Sequence, residues 1–377
     1  MNYHEKKYIL IALSCLLLAA CSSGKKRLEQ GDYDTAVYKA VKRLQQKPQK
    51  KKAELVLREA YTHAVNEHME VIAYLDNTTN PFKYDKMVHE YEQVDYLNRA
   101  IRRYPYYTEL VNLVDVKQEL AQVRGEAAIA HLEAGNELLA QGAKRHARAA
   151  YHQFGISNRF VAGTASLRKL ENAQLAGTEF VALEFANRGR FFRDFNTDRV
   201  FDELGNNFRN SRYRFMRLVD PKEVDVDLDH IVQIEMDDAH IGRVDFSKNV
   251  FELKKEDVYM GEAEADSGEV VKVYGTVYAD YIEYCKTISS RAQLMIQVVD
   301  GNTARVIQRQ VIPSQYNWTD KWATYRGDKR ALSADQISFA RRSEPNLPST
   351  QWLFALASAP LVGTSLDLLR VQFAHLK

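Results

Sequence analysis

The chain has 377 residues, of which 45% are hydrophobic and 27% are charged. This composition is typical of a globular protein and excludes a disordered or collagen-like chain. Lys and Arg number 52 and Asp and Glu number 50, so the formal net charge is +2. A nearly neutral chain is not expected to bind nucleic acid by neutralising phosphates. Three cysteines are too few for a disulfide scaffold.

Residues 1–20 have the pattern of a cleaved signal peptide. Lys6 and Lys7 precede an apolar run from Tyr8 to Leu18, which is too short to span a bilayer as a permanent helix. The sequence Leu18-Ala19-Ala20-Cys21 then resembles the lipobox of bacterial lipoproteins. The resemblance implies cleavage before Cys21 and attachment of fatty acyl chains to it. The alternative is an ordinary signal peptide with a cysteine at its cleavage site.

The lipoprotein interpretation predicts where the protein lies. Two acyl chains give stable membrane attachment, because each buried methylene contributes about 0.8 kcal/mol. Ser22 follows the cysteine where some lipoproteins kept in the inner membrane have aspartate, so we expect the outer membrane and a molecule facing the periplasm. Cys15 would leave with the signal peptide, and Cys285 would have no second thiol with which to form an internal disulfide.

Residues 21–177 are predicted to be helical. Val37, Ala40, Val41 and Leu44 recur at the spacing of one buried helix face. A second long helix is predicted to end at the turn 76–81, and a third before Pro105. Further helical stretches are predicted at 106–140, 142–155 and 163–175.

Two segments of this half resemble tetratricopeptide repeats. One is a half-repeat that begins at Gly31. The better match runs from Ala128 to Val161, and the family's small, turn, small and aromatic positions are occupied there by Gly135, Gly142, Ala147 and Tyr151. The resemblance implies an irregular helical solenoid that binds proteins. A generic helical bundle without a binding role is the alternative.

Residues 178–377 change to a period of two and are predicted to form an α/β sandwich, so the whole chain is assigned to the α+β class. Alternation predicts a long antiparallel hairpin within 269–299, and Ser333 with Gln336 predicts a capping box. The remaining predicted elements are strands at 180–185, 213–219, 230–236 and 306–312, a hairpin turn at 300–303, and helices at 198–210, 350–358 and 361–375, the last two separated by Pro360.

This order of elements resembles the fold shared by the curli secretion channel subunit and the outer-membrane lipoproteins that activate peptidoglycan synthases. The matching stretches are Val181-Ala182-Leu183-Glu184-Phe185 with Asn187, Tyr213-Arg214-Phe215, and Leu294 to Val311. These short motifs imply similarity of fold only. In the channel family hairpins insert into the membrane, but Lys272 and Asp280 on one face of the 269–299 hairpin favour a soluble sheet here.

The sequence offers little catalytic chemistry. Asp237, Asp238 and His240 are the densest cluster of acid/base groups or metal ligands, but adjacent carboxylates on a strand point to opposite faces. We therefore expect a strand-end loop and predict no catalytic residue, no metal site and no cofactor. A candidate interaction patch lies in 313–330. Its aromatic residues either stack on a glycan or pack into a core or interface, and they are Tyr316, Trp318, Trp322 and Tyr325.

Together these observations predict a lipid-anchored, non-enzymatic scaffold or assembly factor of a bacterial cell-envelope complex. Its expected partners are the membrane, through the anchor, and envelope proteins; nucleic acid is not expected, and a homo-oligomer is a further option. Two alternatives stay open: a regulator of peptidoglycan synthesis, and an oligomeric component of an outer-membrane secretion channel.

Overall fold

The computed structural model describes residues 24–187, 195–220, 227–266 and 269–377. The predicted signal peptide at 1–20 and Cys21 therefore lie outside the described residues. The chain divides into two compact units between Gly177 and Thr178. The first is helical and the second contains a mixed sheet with helices, so the chain is an α+β protein.

The helical unit contains helices that match the predicted hydrophobic faces. The faces predicted around Val41, Tyr61 and Leu97 are confirmed, since these residues are buried together in one core. The helices are α1 (Lys25–Glu29), α2 (Tyr33–Gln46), α3 (Lys51–Asp76), α4 (Lys83–Arg102), α5 (Pro105–Thr108), α6 (Lys117–Ala140), α7 (Lys144–Phe160) and α8 (Thr164–Gly177).

The predicted continuous stretch 106–140 is wrong, because residues 109–116 separate α5 from α6. Buried polar side chains hold this segment. The Tyr61 hydroxyl accepts a hydrogen bond from the Val114 N–H (2.9 Å) and donates one to Asn98 Oδ1 (2.7 Å). Asn98 Nδ2 in turn donates to the Val114 carbonyl (2.7 Å). The Tyr61 and Asn98 side chains thus supply the hydrogen-bond partners that a helix would have given to the Val114 backbone.

Gly135 of α6 allows α7 to approach closely. A Cβ atom at Gly135 would lie 2.4 Å from Cε1 of Phe154, which is fully buried. The bulky ring on α7 therefore occupies the space that the missing side chain on α6 leaves. Gly142 begins the turn between these helices with a φ of 75°, a conformation that favours glycine.

The second unit is built on one six-stranded sheet. Its strands are β1 (Glu179–Asn187), β2 (Met216–Val219), β3 (His230–Ile241), β4 (Asp245–Glu264), β5 (Val270–Asp300) and β6 (Val306–Gly327). β1 is parallel to β2 and to β3. β3 and β4 are both antiparallel to β5: β3 pairs with residues 290–300 of β5 and β4 with residues 270–287. β6 is also antiparallel to β5.

Helices pack against this sheet. They are α9 (Asp198–Arg209), α10 (Ala334–Phe339) and α11 (Thr350–Gln372), and short 3₁₀ turns occupy Lys329–Ala331 and Ala374–Leu376. Val232 and Ile234 of β3 lie opposite Val298 and Ile296 of β5, and all four are buried. α11 packs on β3, β5 and β6 and against α9. Asp198–Arg209 buries the predicted face of Val200, Leu204 and Phe208.

Local turn and cap predictions are confirmed. Asp300 Oδ1 accepts hydrogen bonds from the Thr303 N–H (2.7 Å) and hydroxyl (2.8 Å), and these bonds lower the pKa of Asp300. Ser333 and Gln336 form the predicted capping box at the start of α10. Both motifs are short-range, so neighbouring residues alone determine them.

The predicted 269–299 hairpin is wrong, because β5 is one strand of 31 residues. Residues 282–291 contain no Gly, Pro, Asn or Asp that would favour a turn between the two predicted strands. The hairpin partner of β5 is instead β4, which the sequence did not predict. β6 likewise continues beyond 312 to Gly327 although it contains Pro313, a residue that strands tolerate at a sheet edge.

Two other boundaries also differ from prediction. Residues 213–215 precede β2 and are not part of it. The two helices predicted around Pro360 are the single helix α11, which continues through the proline because Leu353, Ala357, Leu361 and other residues bury one side of it. Among the described helices, α11 is long and apolar enough to cross a membrane, yet half of its most apolar stretch is buried.

Candidate interaction surface

Three long strands extend from the sheet as a feature that we call the arm, comprising β4, residues 270–287 of β5 and residues 319–327 of β6. The arm has three strands at its base, where residues 279–287 of β5 pair with both β4 and β6. At its tip, residues 270–278 of β5 pair with β4 alone among the described strands. Eighteen residues of β5 would span about 60 Å if straight.

An aromatic cluster lies on one face of the arm base. The rings of Tyr284 and Trp322 stack with centroids 5.2 Å apart, and Phe246 lies 5.9 Å from Tyr284. The ammonium of Lys286 lies 5.2 Å from the Trp322 centroid and forms an ion pair with Glu344. Trp322 is only 7% exposed, so this ring serves packing and a cation–π contact rather than an open stacking platform.

The four predicted patch residues do not share one face. Tyr316, Trp318 and Trp322 lie on the same side of β6, because its register with β5 is unbroken there. Tyr325 lies on the opposite side, across from Tyr281. The Tyr316 ring meets Trp352 of α11 edge-on at 6.1 Å, which ties this part of β6 to the core helix.

The other face of the arm base carries a small hydrophobic core. Ala279, Tyr281 and Ala323 are buried there with Leu332, and partly buried residues of α10 pack on them. Burial raises the pKa of the Tyr281 hydroxyl. The structure therefore supports the base of the arm on both faces.

Arg330 fixes the outer part of β4 to this core. Its guanidinium donates a hydrogen bond to the Tyr259 carbonyl (2.6 Å) and forms an ion pair with Asp328 (2.6 Å). Hydrogen bonds from Arg330 lower the pKa of Asp328 to about 2. β4 has register shifts on either side of this contact, after Lys255 and after Tyr259.

The tip exposes apolar residues on both faces. Val258 and Val277 are buried, but the side chains around them are exposed, namely Tyr259, Met260, Val270, Val271, Val273, Tyr274 and Tyr278. Val271 and Val273 alternate with Lys272 and Tyr274 along β5, so the valines share one face. Contiguous exposed apolar surface of this kind marks binding sites for proteins or membranes.

Asp237, Asp238 and His240 lie within β3, so the predicted strand-end loop is wrong. A register shift between Met236 and Asp238 displaces the two carboxylates. Asp237 accepts a hydrogen bond from Gln293 (2.8 Å), and Asp238 pairs with Arg291 (2.9 Å). Within the described residues, no group of three or more His, Cys, Asp or Glu side chains is placed to hold a metal ion.

Two histidines tie the helices of the first unit together. His68 of α3 contacts Glu90 of α4 through Nδ1 (2.6 Å) and Asp34 of α2 through Nε2 (3.3 Å). These carboxylates raise the pKa of His68 to about 9, the hydrogen bond to Asp34 being the largest cause. The positive charge therefore persists at neutral pH and is held among three helices.

His131 of α6 plays a similar structural role. Its Nε2 lies 3.0 Å from Asp85 of α4, and its Nδ1 lies 2.6 Å from Gln153 of α7. The imidazole is stacked on Phe82, with centroids 4.7 Å apart. A ring so enclosed is a packing element, and neither histidine presents a reactive nitrogen to solvent.

A search with models of known protein families finds no match to this sequence, and a search for similar curated proteins finds none either.

Proposed function

We propose that this protein is a lipid-anchored, non-enzymatic scaffold of a bacterial cell-envelope complex, and that the arm tip is its docking surface. The observation that carries the proposal is the exposure of valine and tyrosine side chains on a ribbon whose base is packed on both faces. A supported ribbon presents these side chains with little loss of conformational entropy on binding. The lipobox-like motif at Cys21 supports attachment to the membrane.

The helical unit supplies a second surface in this proposal. The close approach of α6 and α7 at Gly135 supports the resemblance of 128–161 to a tetratricopeptide repeat. Repeats of that kind bind proteins through extended helical surfaces. Exposed apolar side chains on these helices include Leu55, Tyr74, Ile129 and Leu175.

A channel component is the second candidate, and the dimensions of the tip favour it. Residues 254–264 and 270–278 are strands of eleven and nine residues, which is the length of a membrane-spanning β-strand. Val271 and Val273 would face lipid, and Lys272 would face a lumen. Such a channel requires tips from many copies, since a two-stranded ribbon cannot close alone.

Affinity purification from detergent-solubilised membranes tests the scaffold proposal. Val273→Glu places a charge on the valine face, and Thr276→Glu places one at an exposed position on the other face of the same strand. We expect an envelope protein to co-purify with the wild-type chain and with Thr276→Glu but not with Val273→Glu. Equal recovery with both variants would contradict the proposed docking face.

A further inference from the structure

Within the described residues, the outer edge of β4 is not paired with another strand. One edge of β4 pairs with β5, and no other strand of the described chain pairs with β4. Between Asp245 and Lys255 the register with β5 is unbroken, so these eleven residues form a regular strand. An edge of this kind offers a row of unpaired N–H and C=O groups to another strand.

Apolar side chains flank this edge. Phe246 is 53% exposed, Val250 55% and Phe251 47%. Of the other strands at an edge of the sheet, β2 has only four residues, and β6 contains Pro313, whose missing N–H interrupts its own edge. Residues 245–255 of β4 are thus the better template for strand addition.

The charges along this edge complement themselves when the strand is reversed. If two copies of β4 pair antiparallel with Val250 opposite Val250, Lys248 lies opposite Glu252, and Asp245 lies opposite Lys255. The two-fold symmetry repeats each pair, which gives four cross-strand ion pairs. Within the part of the chain that the structure describes, none of these four side chains forms an ion pair, and all are exposed. Opposite charges directly across a sheet are stabilising, and like charges are destabilising.

The same charges disfavour neighbouring registers. In an antiparallel pair, two opposed residues are either both hydrogen-bonded or both non-hydrogen-bonded. The two-fold axis therefore passes through a residue and not between two residues, and the neighbouring registers have their axes at Asn249 and Phe251. An axis through Phe251 would place Lys248 opposite Lys254 and Asp245 opposite Asp257. An axis through Asn249 removes both favourable pairs and places Arg243 opposite Lys255.

We propose that the protein forms a symmetric dimer in which residues 245–255 of β4 pair antiparallel with the same residues of a second copy, centred on Val250. The interface is isologous, as a two-fold dimer requires. It covers Phe246, Val250 and Phe251, and joins the two sheets through the base of each arm. The bulge after Lys255 ends the pairing before the tip, so both tips stay available.

Charge reversal tests this register. The full chain, purified in detergent, is followed by sedimentation velocity over a concentration series. We expect a dimer for the wild type, and for Lys248→Glu and Glu252→Lys each a Kd raised at least about tenfold, which corresponds to 1.4 kcal/mol. The variant with both substitutions restores opposite charges and is expected to dimerise as the wild type does. Lys254→Glu, opposite Phe246 in this register, is the matched control and is expected to remain dimeric.

Mixing the two single variants tests the pairing register more strictly. Chains with Lys248→Glu and chains with Glu252→Lys are expected to form a heterodimer although each alone dimerises at least about tenfold more weakly than the wild type, because every pair between them is again of opposite charge. A wild-type chain that is monomeric, or that forms a ring of many copies, would overturn the proposal. A double variant that stays monomeric would overturn the register.

Oxidative crosslinking locates the two-fold axis independently of affinity. In a Cys285→Ser background, which keeps Cys21 for the lipid anchor, Val250→Cys is expected to form an intermolecular disulfide, because the two Cα atoms face each other across the ladder. Lys254→Cys is expected to crosslink at least tenfold more slowly. Equal rates at both positions would contradict the pairing.

Discussion

The ion-paired histidine at the centre of the helical unit makes a quantitative prediction about stability and pH. His68 has a side chain that is only 13% exposed and lies between Asp34 and Glu90. Its pKa is about 9 in the folded protein and 6.5 in an unfolded chain. Because the folded pKa is the higher one, the stabilisation is fully present below pH 6.5 and is lost as the pH rises through 9.

The size of the effect follows from that difference. At 1.36 kcal/mol per unit, a rise from 6.5 to 9 corresponds to about 3.4 kcal/mol. Asp34 is 36% exposed, so solvent screens its charge, and we reduce the expected value to about 2 kcal/mol. His68→Gln keeps a polar side chain but cannot carry the charge. It is therefore expected to lower the free energy of unfolding by about 2 kcal/mol at pH 6 and by under about 1 kcal/mol at pH 10.

Urea unfolding at the two pH values measures this difference. The three tryptophans all lie in 178–377, so far-UV circular dichroism follows the helices whereas tryptophan fluorescence follows the second unit. His89→Gln, at an exposed position of α4, is the matched control and is expected to change stability little at either pH. An equal cost of His68→Gln at pH 6 and pH 10 would refute the assignment of the stabilisation to charge.

Three further predictions concern packing, the buried hydrogen bonds and the anchor. Gly135→Ala is expected to destabilise the helical unit by about 1–3 kcal/mol, because its Cβ would overlap Phe154; a thermal unfolding midpoint equal to that of the wild type would show that the ring moves freely. Tyr61→Phe leaves Asn98 and a backbone N–H without their buried partner and is expected to cost about 1–3 kcal/mol in urea unfolding, whereas an unchanged midpoint would exclude this network as a source of stability. Cys21→Ala is expected to release the protein from the membrane fraction, since acylation needs the thiol; retention in that fraction would contradict the lipid anchor.

Helices were predictable here where periodicity and local chemistry agree. The buried faces of α2, α3 and α4 follow from apolar residues at helical spacing, and the capping box of α10 follows from Ser333 and Gln336. The change of period near residue 177 coincides with the division between the two units. The break at 109–116 was not predictable, because its backbone partners are side chains distant in sequence, such as Tyr61.

Most of the arm was not predictable from the sequence. β4 is rich in Lys, Glu and Asp and lacks clean alternation, so its strand structure depends on pairing with β5. The aromatic patch in 313–330 was predicted from composition. The face on which each residue lies depends on the register of β6, which places Tyr325 and Trp322 on opposite faces of the strand. The tip is exposed because β6 ends at Gly327, opposite Ala279, and the sequence pattern does not predict that end.

Site-specific photocrosslinking in cells tests the docking role of the arm tip most directly. A photoreactive amino acid replaces Val271 or Val273, which lie on the valine face of the tip and are 43% and 40% exposed, and replaces Val371 of α11, which is 78% exposed, as a control. We expect both tip positions to capture the same envelope protein, identified by mass spectrometry, and Val371 to capture none. Capture of lipid, or of further copies of this chain in a ladder, at the two tip positions would contradict the scaffold function and favour a membrane-inserted channel.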